Sequence, residues 1–92
     1  MKESKFEREF CTWLRRRGCI VLKNCHADKG RQDRTVLMPG GGWALLEFKK
    51  SEDAPFQTLQ EEKIRIADEM WYSRAVYPEN AEQIKKELLC FI

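Results

Sequence analysis

The stretch WALLEFKK, residues 43–50, decides the fold, because an apolar, β-prone run ends in closely spaced charged residues. In a strand, residues i and i+2 point to the same face. Glu47 and Lys49 are therefore predicted to lie side by side at the end of a hydrophobic strand, on the face of Trp43 and Leu45. A solvated ion pair is the simplest interpretation, so the pair indicates a function only where other polar residues join it.

A glycine-rich turn directly before this strand predicts a β-hairpin. The turn reads PGGG at residues 39–42, and the run DRTVLM at residues 33–38 before it is typical of a strand. If Leu37 pairs with Trp43, Asp33 lies opposite Glu47, whereas a shift of one residue places the two carboxylates on different faces. The sequence leaves this register open.

The two carboxylates, Asp33 and Glu47, are predicted to meet at the far end of the hairpin. Crowded carboxylates in a buried position repel each other, so that one must bind a proton or a cation must lie between them. Oxygen ligands with open coordination positions suit Mg²⁺ or Mn²⁺. A neighbouring lysine such as Lys49 can orient or deprotonate an attacking water, or stabilise charge on a phosphate.

Hydrophobic periodicity and turn residues predict the other elements of the chain. The predicted order is helix 4–17, strand 19–23, strand 33–38, strand 43–49, helix 56–70, strand 72–77 and helix 78–89. This α-β-β-β-α-β-α order predicts one α/β domain over residues 1–92, with a mixed sheet flanked by helices. The helix between the third and fourth strands forms a crossover, which favours parallel pairing of those strands.

The first two helices each carry a polar residue near their apolar side. Glu7 lies at the margin of the first helix's apolar face. Gln60 falls within an apolar arc of the second helix, together with Leu59, Ile64, Ala67 and Met70. A buried amide needs polar partners, and the sheet offers them, although a snorkelling or backbone-bonded glutamine is the alternative. For Glu7 alone, a carboxylate at the edge of the surface is the favoured interpretation.

The composition is that of a small globular domain. The chain has 92 residues, of which 42% are hydrophobic and 35% charged, and its net charge of +2 requires any nucleic-acid contact to come from local patches. Its four cysteines show neither a CxxC pair nor zinc-ligand spacing, so reduced thiols are expected. Without a long apolar run or a signal peptide at Met1, a soluble cytoplasmic protein is expected.

The order of these motifs resembles the PD-(D/E)XK nucleases, and more narrowly a stand-alone VRR-NUC domain of phages and bacteria. The motifs are G-x-x-D at residues 30–33, E-F-K at residues 47–49, and Gln60 at the opening of a helix. The similarity runs from Phe6 to the terminal helix. Gln32 replaces the proline that the family has before the aspartate, which is expected to loosen the loop without removing a ligand.

The resemblance implies a metal-dependent DNA endonuclease that uses Mg²⁺ or Mn²⁺. It implies metal ligands at Glu7, Asp33 and Glu47, and a catalytic set of Asp33, Glu47, Lys49 and Gln60. In that set Lys49 is the catalytic lysine, and Gln60 holds the metal-bound water or the lysine. Basic side chains around the loop are expected to contact DNA phosphates: Lys23, His26, Lys29, Arg31 and Arg34. For the single histidine, His26, a solvated side chain is the favoured interpretation and a DNA contact is the alternative.

The substrate and the assembly are also expectations from the resemblance. Minimal members of this family resemble Holliday junction resolvases, which implies a homodimer that cuts branched DNA, and a two-fold axis suits a four-way junction. The alternatives are a non-specific, flap or nicking nuclease, or a non-catalytic DNA-binding module. Apolar residues near the fourth strand and the C-terminus are interface candidates, with core as the first interpretation: Trp71, Tyr72, Leu89, Phe91 and Ile92. The implied location is a bacterial or phage-infected cell, without membrane association.

Overall fold

The computed structural model describes residues 4–24, 33–52 and 58–92. Its elements follow the predicted α-β-β-β-α-β-α order and are slightly shorter than predicted. They are α1 Lys5–Arg16, β1 Ile20–Lys23, β2 Arg34–Leu37, β3 Trp43–Phe48, α2 Thr58–Met70, β4 Ser73–Val76 and α3 Ala81–Leu89. The predicted α/β class and the order of its elements are therefore confirmed.

The four strands form one mixed sheet in the order β1-β2-β3-β4. The first three strands pair antiparallel, and β3 pairs parallel with β4 across the α2 crossover, as predicted. In the hairpin Leu37 pairs with Trp43 and Arg34 with Leu46. The same register continued by one residue places Asp33 opposite Glu47, which settles the question that the sequence left open.

The first helix packs its apolar side on the sheet and builds most of the core there. The Ser4 hydroxyl accepts a hydrogen bond from the Glu7 backbone N–H at 3.0 Å, which caps the helix start. Phe10 and Leu14 are fully buried, and the Phe10 ring meets the Phe48 ring of β3 edge to face at 5.6 Å. Burial of these large side chains against the sheet holds the N-terminal turn of α1 beside the ends of β2 and β3.

The second helix covers only part of the opposite sheet face, because it packs mainly on β4 and β3. Ile20, Leu22 and Leu37, on the face of β1 and β2 that carries Asp33, remain 58%, 47% and 40% exposed. Met70 is 73% exposed, so its predicted place in the buried arc is wrong. The helix ends at Met70, and Tyr72, two residues later, is buried instead. None of the described helices is long and apolar enough to cross a membrane.

Candidate active site

Asp33 and Glu47 meet at the end of the β2–β3 hairpin and are held there by each other's strand. The Asp33 carboxylate accepts a hydrogen bond from the Phe48 backbone N–H at 3.1 Å. The Glu47 carboxylate in turn accepts a hydrogen bond from the Asp33 backbone N–H, and when protonated it donates to the Asp33 carboxylate; Glu47 is only 6% exposed. Reciprocal side-chain contacts across the strand pair therefore fix both carboxylates in one place.

The proximity of the two carboxylates changes the acidity of the buried one. Burial and then the Asp33 charge raise the pKa of Glu47 to about 8, and the backbone hydrogen bond from Asp33 opposes the shift only in part. Near neutral pH this pair therefore favours a shared proton or a bound cation over two free negative charges. Its hard oxygen donors fit a divalent cation such as Mg²⁺ or Mn²⁺.

The described residues contribute two carboxylates to this place and not the three that the resemblance implied. Within residues 4–24, 33–52 and 58–92, no three His, Cys, Asp or Glu side chains lie together as a group suited to a metal ion. A hard cation such as Mg²⁺ commonly takes only one or two protein carboxylates and completes its coordination with water and phosphate oxygens. The described geometry thus fits a metal site with two protein carboxylates and open coordination positions better than a site whose ligands all come from the protein.

Glu7, the third carboxylate of the resemblance, forms an ion pair with Arg34. Arg34 Nε donates to Glu7 Oε2 at 2.8 Å, and the two side chains are 7% and 14% exposed. Arg34 follows Asp33 directly, so strand alternation turns it to the opposite, α1-facing side, together with buried Val36. This burial differs from the predicted role of Arg34 as a phosphate contact on the surface. In the sequence, this burial was indicated by the position of Arg34 two residues before the apolar Val36, on the same strand face.

Lys49 stands immediately after β3 and is anchored through its backbone. Its N–H donates to the Val76 carbonyl at 2.8 Å, which continues the pairing of β3 with β4. Its Nζ lies 3.5 Å from the Glu52 carbonyl oxygen and 5.8 Å from the centre of the Tyr77 ring. The lysine is thus half-buried at the same end of β3 as Glu47, two residues away along the strand.

The remaining predicted site residues are described only in part. Lys23 ends β1 as an exposed side chain beside Arg34 in the sheet register. Gln60 lies in the described start of α2, but its side chain is outside the described part of the structure. His26, Lys29 and Arg31 also lie outside the described residues. Their predicted DNA contacts stay predictions.

Asn24 supports the site in a way that the sequence reasoning missed. Its N–H donates to the Asp33 carbonyl at 2.9 Å, and its side-chain oxygen accepts from the Thr35 hydroxyl at 2.7 Å. Both contacts bridge β1 to the start of β2, across the two ends of the loop that joins them. Asn24 thereby fixes the backbone that carries Asp33. In the sequence, this role was indicated only by an asparagine at the start of a polar loop.

Comparisons with known proteins agree with this architecture. No protein-family model and no curated protein matches the chain. Among solved structures, the chain is similar to one described as a "VRR_NUC domain", with a TM-score of 0.74 over 87% of this chain and 89% of that chain, at 16% sequence identity. At this identity the likeness shows the fold alone, and it confirms the VRR-NUC fold predicted from the motifs.

Proposed function

We propose that this chain is a Mg²⁺- or Mn²⁺-dependent endonuclease that hydrolyses phosphodiester bonds in DNA. The observation that carries the proposal is the buried meeting of Asp33 and Glu47, where burial and then the neighbouring Asp33 charge raise the pKa of Glu47 to about 8. Two crowded carboxylates do not stabilise the end of a strand, whereas a cation-dependent hydrolase requires them as ligands. The nuclease-type fold supports the same conclusion.

Each residue has a specific task in this proposal. Asp33 and Glu47 would hold the cation, which when bound lowers the pKa of its water and polarises the scissile phosphate. Lys49, on the same strand end, orients the attacking water or stabilises the developing charge on the phosphate. Glu7 lies outside the ligand pair and, through Arg34, keeps α1 in place against β2. Gln60 remains a candidate for holding the water or the lysine.

A homodimer acting on branched DNA is the finer form of the proposal. The apolar face of Ile20, Leu22 and Leu37 supports it, because these exposed side chains adjoin each other in the register of β1 and β2. Among the candidates near the C-terminus, Tyr72 is buried in the core, whereas Trp71 and Leu89 are each 49% exposed. Pairing through the open sheet face would place two sites about a two-fold axis, as paired cuts in a junction require.

Cleavage of labelled DNA tests the proposal. A four-way junction, a linear duplex and a single strand are incubated with Mg²⁺, Mn²⁺ or EDTA, using wild type, Asp33→Ala and the exposed control Glu62→Ala. Paired symmetric cuts that require both metal and Asp33 support a junction-resolving nuclease. Metal-dependent cutting of every substrate supports the enzyme without junction preference. Binding without cutting under either metal contradicts the proposed catalysis and favours a DNA-binding module.

A further inference from the structure

A second basic surface lies on α1, outside the candidate active site. It is a groove lined mainly by α1 residues and closed on one side by a lysine of α3, and it is called the basic groove below. Its lining residues are Arg8, Glu9, Thr12, Trp13, Arg16, Arg17 and Lys85. Four cations and one carboxylate thus face a common space, in a chain whose net charge is only +2. This concentration indicates an anionic partner.

Two of the four cations are held in place by contacts with Trp13. The Arg17 guanidinium lies 4.1 Å from the centre of the Trp13 ring and donates to the Trp13 carbonyl oxygen at 3.1 Å. The Lys85 ammonium lies 5.3 Å from the same ring centre, and its side chain is 23% exposed. Both charges are therefore positioned before any ligand arrives, which lowers the entropic cost of binding.

The other two cations, Arg8 and Arg16, face solvent from the outer side of α1. Both are exposed, and neither forms an ion pair with any residue that the structure describes. With Thr12 they occupy positions i, i+4 and i+8, one stripe of the helix. Eight residues span about 12 Å of helix axis. A partner that contacts both arginines must carry negative charges in a row.

The acidic residues near the groove neutralise it only in part. Glu9 lies 3.8 Å from Lys5, and both side chains are largely exposed. Glu82 lies 3.6 Å from Lys85 but is 85% exposed, so water screens that pair. Arg8, Arg16 and Arg17 keep their charge available to a partner.

The basic groove and the active site lie on different sides of α1. Glu7 faces Arg34 at the sheet, and at about 100° per residue Arg16 lies opposite to it around the helix. We infer that the basic groove binds the phosphate backbone of a DNA segment other than the one being cut, which rests on the proposed nuclease function. The Arg17 guanidinium covers one face of the Trp13 ring, so that face is not open to stacking on a DNA base. Contacts to phosphate, and hence sequence-independent binding, are therefore expected here.

Fluorescence anisotropy with a labelled short duplex tests this inference, with EDTA present to prevent cleavage. Affinity is measured at several NaCl concentrations for wild type and for the double variant Arg8→Gln, Arg16→Gln. The control, Arg65→Gln with Lys86→Gln, removes the same charge from exposed positions outside the groove. Loss of two phosphate contacts is expected to weaken binding roughly tenfold at low salt and to reduce the salt slope by about 2. Arg8→Lys with Arg16→Lys keeps the charge and is expected to retain binding.

Equal affinities for the groove variant and its control would overturn the inference. Poly-glutamate that displaces the labelled duplex as effectively as unlabelled duplex does would also overturn it. Thermal melts show whether the groove variant is folded, which its exposed positions predict. Cleavage by wild type with Mn²⁺ is measured in parallel. If wild type cleaves DNA but the groove variant binds as tightly as its control, the inference about the groove is wrong and the nuclease proposal stands. If the groove variant binds more weakly than its control but wild type does not cleave, the nuclease proposal is wrong and the inference about the groove stands.

Discussion

Arg34 Nε lies 2.8 Å from Glu7 Oε2, and this ion pair connects α1 to β2 directly beside Asp33. Both side chains are nearly buried, and in this pair each charge compensates the other. The pair also places Glu7 close enough to raise the pKa of Glu47 through its charge. A residue that resembles a metal ligand in the sequence thus acts on the site through electrostatics and through the position of the helix.

Glu7→Gln is expected to destabilise the fold by roughly 3 kcal/mol, because it removes the carboxylate that pairs with the buried Arg34 guanidinium. Urea unfolding followed by circular dichroism measures the free energy of unfolding. The control Glu9→Gln removes an exposed charge that pairs with Lys5 on the surface, and it is expected to change that free energy by less than about 0.5 kcal/mol. Similar losses for both variants would show that the ion pair does not stabilise the fold.

Glu47→Gln is expected to stabilise the protein at high pH in EDTA. The pKa of Glu47 is about 8 in the fold against an ordinary value of 4.5, so the stability contributed by its protonated form is complete below pH 4.5 and is lost as pH rises to about 8. A neutral glutamine avoids that loss. The gain in unfolding free energy is on the order of 2 kcal/mol above pH 8 and small near pH 5.

Chemical unfolding of wild type and Glu47→Gln across this pH range measures the effect. Glu61→Gln, an exposed position in the first turn of α2, serves as the control and is expected to show no such pH-dependent gain. A constant difference between wild type and Glu47→Gln at all pH values would contradict the assigned ionisation. Added Mn²⁺ is expected to raise the melting temperature of wild type but not of Glu47→Gln.

Lys49→Ala is expected to lower the cleavage rate by about 10² to 10⁴, because it removes the group proposed to orient the water or stabilise charge on the phosphate. DNA binding is expected to change by less than about threefold, since a single phosphate contact contributes little to the total affinity. Single-turnover cleavage and anisotropy separate the two effects. The adjacent Lys50→Ala, at an exposed position, is the matched control. Equal loss of binding and cleavage in Lys49→Ala would contradict the catalytic assignment.

Ile20→Ser with Leu22→Ser is expected to convert the proposed dimer to a monomer. Both side chains are exposed on the open sheet face, so their loss removes interface area while leaving the core intact. Light scattering after size exclusion measures the mass of wild type, this variant and the control Leu89→Ser, which changes an equally exposed residue on α3. A dimer that survives the first variant and dissociates in the control would move the interface to the C-terminal side.

The arrangement of Asp33 and Glu47 followed from local features of the sequence. The PGGG turn and the two-residue period of strands place both carboxylates at the far end of the hairpin once Leu37 pairs with Trp43. The same alternation was sufficient to place Arg34 on the inner face with Val36. Its position next to a basic loop nevertheless favoured a DNA contact, because the sequence does not show that α1 supplies a buried carboxylate.

The sequence by itself determined the order of elements, the hairpin and the strand end at which Glu47 and Lys49 stand, because these depend on contacts between near neighbours in the chain. Only the tertiary structure decided how deeply Glu47 is buried, which partner Glu7 takes, and that the face of Ile20 and Leu22 stays uncovered. Those outcomes depend on which helix packs over which strands. Burial and charge pairing arise between residues distant in sequence, so local periodicity does not predict them.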